Sequence, residues 1–195
     1  MLGTLYLILG REKIDRFVAV APPFDSNKNA RESYDMTLAW AKRDNNADAI
    51  RELRTQIVLP IDSFGEQMLL SKWASQAFGG ISKGLFMSHV LDGMGIEGLG
   101  EGWQTNALAI ARAMDEELQG IKVTDSIGDL ANPILFMAAA HDANVPPGPV
   151  KEVFGDYKRP KDFVLFENSY HLSFVTESDR FVASVQDFLM KESSK

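Results

Sequence analysis

Two periods of apolar residues alternate along the chain. Leu2, Leu5, Ile8 and Leu9 fall near helical spacing, and Gly10 with Arg11 and Lys13 reads as a helix end. The unbroken run Arg16-Phe17-Val18-Ala19-Val20-Ala21, stopped by Pro22-Pro23, predicts a buried strand. From about Ala30 to Gly128 the helical period takes over. Tyr34, Leu38 and Ala41 share one face. A second helix carries Ile50, Leu53 and Ile57, with Asn45 or Asn46 as its cap and Pro60 as its stop. Phe64, Met68 and Trp73 predict a third, and Leu108, Ala111, Asp115 and Leu118 place another over 103–118. Glycines interrupt this block at Gly79-Gly80 and from Gly93 to Gly102, and no strand pattern occurs in it.

Near Asn132 the pattern switches back. Pro133 to Ala140 is a strand-length apolar run, and Asp162 to Glu167 is another. A short helix is expected over 150–157. A closing helix is expected over 179–191, with Phe181, Val182, Val185, Phe188 and Leu189 turned inward. Strand–helix–strand–helix with short connections is a βαβ arrangement, so the strands should be parallel and the crossover right-handed. The fold class is α/β. The chain divides into a core segment at 1–29, a helical insertion at 30–128 and a second core segment at 129–195.

Composition removes several functions. The chain has 195 residues, 45% of them hydrophobic and 24% charged, which is ordinary globular composition. A net charge of −7 without any Lys/Arg cluster argues against a nucleic-acid surface. With no cysteine, disulfides, thiolate zinc sites and cysteine nucleophiles are excluded within the chain. No apolar run approaches the ~18 residues of a membrane helix. Ala19-Val20-Ala21 has the form of a signal-cleavage site, but the charges at 11–16 follow the apolar stretch instead of preceding it. The reading is a cytoplasmic protein with no membrane partner.

Ionisable residues stand just after the two later strands, where open parallel sheets place their sites. His141 and Asp142 follow the first, and Asn168-Ser169-Tyr170-His171 follows the second. If the strands are neighbours, Asp142 and His171 face each other. A carboxylate bonded to histidine Nδ1 fixes the tautomer and stabilises the imidazolium formed when the ring takes a proton. The plainer alternatives are a turn-forming aspartate and a loop histidine without a task. His141 adjoins the acid, but its side chain should point away. His141 and Asp142 lack a third ligand at useful spacing, so no metal is expected. Met68, Met87 and Met94 read as packing residues and His89 as packing or surface. Glu97 and Glu101 would repel phosphate in the glycine-rich stretch 93–102, so no nucleotide site is read there. No cofactor is expected.

On these residues the chain resembles the α/β-hydrolase family. Residues 133–195 are similar to the family's last third: strand, Asp142-Ala-Asn-Val-Pro146 loop, short helix, strand, and His171 before the final helix. Residues 1–22 look like the helix after the nucleophile elbow and the strand that follows. The block at 31–128 is most similar to the cap of proline iminopeptidase-type hydrolases. The resemblance implies about three parallel strands with flanking helices, forming the distal part of a hydrolase sheet, plus a helical cap. It implies Asp142 as catalytic acid and His171 as base. Ala139 stands where a glycine is common in the family.

The larger departure is the nucleophile, which in the family sits in a G-x-S-x-G turn between strand and helix. That turn would fall just upstream of Met1. Gly80-Ile81-Ser82-Lys83-Gly84 fits the pattern and makes Ser82 the alternative nucleophile. Residues 71–78 before it read as helix, however, and not as the required strand. The resemblance implies hydrolysis of peptide, amide or ester bonds in a small molecule or short peptide. Glu66, Glu97 or Glu101 would be candidates to hold a substrate amine in an aminopeptidase. Epoxide-opening relatives use two cap tyrosines, and this block has only Tyr34. The other expectations are an inactive fragment from a longer reading frame, a binding or assembly module, or half of a split hydrolase. Each leaves the edge of the strand at 16–21 open to self-association.

Overall fold

The computed structural model describes residues 14–77 and 132–191, and within 109–127 the helical positions 109, 112, 113 and 124–127. Strands β1 (Phe17–Val20), β2 (Ile134–Ala139) and β3 (Lys161–Phe166) form a parallel sheet in the order β1-β2-β3. The helices are α1 (Ser26–Arg43), α2 (Ala47–Gln56), α3 (Phe64–Ala74), α4 (Thr124–Ile127), α5 (Pro147–Asp156), α6 (Ser173–Thr176) and α7 (Ser178–Met190). Among the described residues no strand falls between 30 and 128.

The central strand explains the layering. All six residues of β2 are buried, as befits a parallel strand covered on both faces. Its side chains alternate. Ile134, Phe136 and Ala138 pack with Val150, Val153 and Tyr157 of the α5 region. Leu135, Met137 and Ala139 pack with Phe166 and with Phe188 of α7. Phe136 is the hub of the first layer, with ring centroids of Phe24, Phe154 and Tyr157 all within 5.9 Å. A third cluster joins α1, α2 and α3 through Trp40, Ala41, Leu53, Leu70 and Trp73, and Tyr34 packs against it. Ala143, in the loop after β2, belongs to this helical cluster and so ties it to the sheet.

Caps set the helix starts. Asp25 Oδ1 accepts from Lys28 N, Asn46 Oδ1 from Ala49 N and Ser63 Oγ from Glu66 N. Asn46, rather than Asn45, therefore caps α2; Asn45 takes the left-handed turn before it, with φ 54°. The Glu66 carboxylate also accepts from Ser63 Oγ at 2.6 Å and from Val58 N at 2.8 Å, which ties it to the cap residue and to the chain entering the helix. These contacts account for Glu66 without a substrate amine, and they hold its carboxyl below the usual range. Between α1 and α5, Lys28 pairs with Glu152, and Glu32 accepts from Gly148 N at 3.2 Å. Burial pushes the Glu32 carboxyl up, although the Gly148 bond opposes it.

Several boundaries differ from expectation. The first helix after β1 starts at Ser26, four positions before 30, because Asp25 supplies the cap. Helix α5 starts at Pro147 instead of 150, since prolines lack only N–H groups that a first turn leaves unpaired. The short α6 has no periodic signature in the sequence. Val182 and Leu189 are about half exposed, not inward. The apolar contact of α7 with the sheet runs through Phe181, Val185 and Phe188, at i, i+4 and i+7, and Val182, one step round, points to solvent.

This packing makes Phe136→Ala costly, by about 3–5 kcal/mol in denaturant unfolding, whereas Val182→Ser should change stability by no more than about 0.5 kcal/mol.

Candidate active site

The site is built where the strands end. After β2 the chain turns sharply, with Asp142 N bonding back to Ala139 O at 3.3 Å. The turn carries the Asp142 side chain inward, to complete burial. Its Oδ1 accepts from Asn144 N at 2.9 Å and Val145 N at 2.8 Å, a local side-chain-to-backbone turn of the kind aspartate favours. Its Oδ2 lies 2.9 Å from His171 Nδ1. Both oxygens act as acceptors, so none of the three contacts asks for a proton on the acid.

That contact bears on the tautomer of His171. Against a carboxylate acceptor Nδ1 donates, which in the neutral ring leaves the lone pair on Nε2. The His171 side chain is 42% exposed while its partner is sealed, so the proton-accepting end is the accessible one. The two bearing loops are themselves joined. Ala140 N donates to Phe166 O at 2.9 Å and His141 N to Ser169 O at 3.1 Å, which extends the β2–β3 ladder beyond the strands. His141 is exposed, with its ring 5.8 Å from that of Tyr170.

His171 opens onto a cavity of about 480 Å³. Its described walls come from the carboxyl ends of all three strands: Val20, Ala21 and Pro23 after β1, Val145 after β2, and Leu172 and Phe174 beside His171 after β3. Apart from His171, every described wall side chain is apolar. Ala21 adopts φ 42°, a left-handed conformation that costs an alanine about 1–2 kcal/mol, and Ala21 N is held by Met137 O at 2.9 Å. The turn swings the chain from β1 over the cavity and into α1. Neither this strained wall nor the apolar lining has a sequence signal, because Val20, Leu172 and Phe174 read simply as hydrophobic residues near loops.

Polar groups support the His171 loop from below. Ser169 is fully buried; its Oγ donates to Glu177 Oε1 at 2.6 Å and accepts from Thr176 Oγ1 at 2.7 Å. The Ser169 bond, foremost, holds the Glu177 carboxyl below the usual carboxylate range. Sequence reasoning missed these residues; the one clue is a serine flanked by polar residues two positions before the histidine.

The structure thus brings together Asp142 and His171. Ser82, His89, Met87, Met94, Glu97 and Glu101 lie outside the described residues, as does the segment 1–13. Among the described residues no three His, Asp or Glu side chains converge as a metal site, and no helix is long and apolar enough to cross a membrane.

No protein-family profile matches the sequence, and no curated protein matches it. Solved structures do. An alpha/beta fold family hydrolase from Bacillus anthracis str. Sterne matches with a TM-score of 0.58 and 16% identity, over 96% of this chain and 63% of that one. An alpha/beta hydrolase enzyme from a Medee basin deep-sea metagenome library matches at 0.56 and 13% identity, over 98% and 62%. The proline iminopeptidase of Mycobacterium smegmatis matches at 0.52 and 16% identity, over 97% and 61%. The chain has the α/β-hydrolase fold, and it spans less than two thirds of the length of these structures.

The site geometry makes a spectroscopic prediction. In Asp142→Asn, the amide oxygen keeps the Asn144 and Val145 N–H bonds, which turns the amide NH2 toward His171. The imidazole proton should then move from Nδ1 to Nε2, visible in the ring ¹⁵N shifts, with a stability loss of about 1–3 kcal/mol. Retention of the Nδ1–H form in this variant would contradict the assigned contact.

Proposed function

We propose that this chain carries the acid–base half of a hydrolase acting on peptide, amide or ester bonds. The observation that carries the reading is the sealed Asp142 bonded to a half-exposed His171 at the mouth of an apolar cavity. His171 Nε2 takes the proton of an attacking hydroxyl and returns it to the leaving group, and Asp142 stabilises the imidazolium between the two steps. The attacking group is not assigned among the described residues; Ser82 is one candidate and a residue outside this chain is the other. An apolar wall suits an uncharged acyl or leaving group and excludes water from it. This favours an ester, or a peptide with an apolar side chain, over a charged amine set against these walls. A proline iminopeptidase-like specificity draws support from the fold likeness alone.

The test is hydrolysis of p-nitrophenyl esters and N-terminal-proline amides. It uses this chain and a version extended by whatever the upstream DNA encodes in frame. The chain itself should show no turnover. The extended form should turn over, and His171→Ala should cut kcat by about 10²–10⁴-fold. Activity of the chain that disappears in Ser82→Ala would transfer the nucleophile to Ser82. Turnover indifferent to His171 would overturn the reading.

A second reading is a binding or assembly module. The observation favouring it is β1, which among the described residues pairs only with β2 and ends in the 37% exposed Val20. Sedimentation velocity should then show self-association that weakens when a proline replaces Val18. A monomer at all concentrations would remove this reading.

A further inference from the structure

The loop bearing His171 is exposed at Glu167 and Asn168, yet Ser169 and Ser173, two residues either side of the histidine, are buried. A buried serine needs partners, and Ser169 has them on three elements. Its carbonyl accepts from His141 N beyond β2, its hydroxyl accepts from Thr176 of α6, and the same hydroxyl donates to Glu177 at the start of α7. Against the Glu177 carboxylate the protons run Thr176 O–H to Ser169 O–H to Glu177, and the Thr176 hydroxyl also lies 3.2 Å from Leu172 O. The carboxylate is the terminal acceptor that orients both hydroxyls.

Glu177 is also an unusual residue at its own position. It occupies the N-cap of α7, where Ser, Thr, Asp or Asn is preferred, and its side chain makes no capping bond to the first N–H groups of that helix. Its carboxylate reaches backward to the loop, accepting from Ser169 Oγ and from Asn168 N at 3.3 Å. The other oxygen is held by Arg180 Nη1 at 3.1 Å, and that guanidinium lies over the Phe166 ring at the end of β3. The helix start is thus used as an anchor for the loop before it.

We propose that Glu177 is a positioning residue for His171: acting through Ser169, its carboxylate holds the 168–172 loop so that Nδ1 meets Asp142. The inference rests on the reading of Asp142 and His171 as acid and base. Charge-assisted bonds of this kind alter a local equilibrium by roughly tenfold to a hundredfold.

The experiment is NMR on the ¹⁵N-labelled full chain, reading the exchange of the His171 Nδ1 proton with water alongside the thermal midpoint. In the unsubstituted chain the proton should be protected. Ser169→Ala and Glu177→Leu should each speed its exchange roughly tenfold or more, while Glu177→Gln, which keeps an acceptor oxygen facing Ser169, restores most of the protection. Rescue by the glutamine separates positioning from general destabilisation. If Glu177→Leu fails to fold, Ser169→Ala decides. A protected proton whose exchange is unchanged in Ser169→Ala overturns the inference alone, as do rates that follow only the thermal midpoint. An unprotected proton in the unsubstituted chain instead overturns the acid–base pair itself, and the role of Glu177 with it.

Discussion

Burial of β2 on both faces is the constraint from which the rest follows. A six-residue strand sealed at every position must have a layer on each side and a neighbour at each edge. The α5 region and α7 supply the layers, and β1 and β3 supply the neighbours. The same constraint makes the strand's end abrupt. Past Ala139, Ala140 is only partly buried and His141 is exposed, so the next fully buried side chain is the Asp142 carboxylate. Asp142 is tolerable there because three N–H donors converge on it.

The site depends on that convergence. Two of the donors are backbone groups of the acid's own loop, so the orientation of Asp142 does not require His171. The histidine, in contrast, is held by Asp142 at one nitrogen and by its loop. The loop in turn leans on β2 through the His141 N–H and on α7 through Glu177. Burial therefore falls off outward from the strand: a sealed Asp142, then a half-exposed His171, then an apolar cavity. A histidine in the proposed role of base needs this gradient: full burial would cost it access, and full exposure would cost it the Asp142 bond.

Legibility in the sequence followed the length and purity of each apolar pattern. The run at 133–140 is consecutive and flanked by turn residues, so the central strand and its parallel partners were readable, as were Asp142 and His171 just beyond strand ends. The helices over 34–73 were readable from their period and their polar caps. What escaped was decided by tertiary contact. Val182 and Leu189 fit an apolar helix face as well as Phe181 and Phe188 do, and only the narrow line of contact with the sheet separates them. Helix α6 is too short for any period. Ser169, Thr176 and Glu177 look like loop polarity until their side chains are seen to form one chain of bonds. Ala21 gives no sign of its left-handed turn, because no glycine marks it.

That last residue shows how the sheet and α1 are coupled. An alanine held at φ 42° just before two prolines is a local cost, and it persists only where the surroundings over-determine it. Here they do. Ala21 N is tied to Met137 O, which continues the β1–β2 ladder, while Phe24, three residues on, is buried against Phe136. The chain must leave β1 and reach the Phe136 layer within those few residues, and the turn at Ala21 allows it to do so. Ala21 and Pro23 share the cavity wall with Leu172 and Phe174, and α1 begins at its Asp25 cap and meets α5 through Lys28 with Glu152 and Glu32 with Gly148 N. The strained turn at Ala21 thus lies where the sheet, the cavity wall and the start of α1 join.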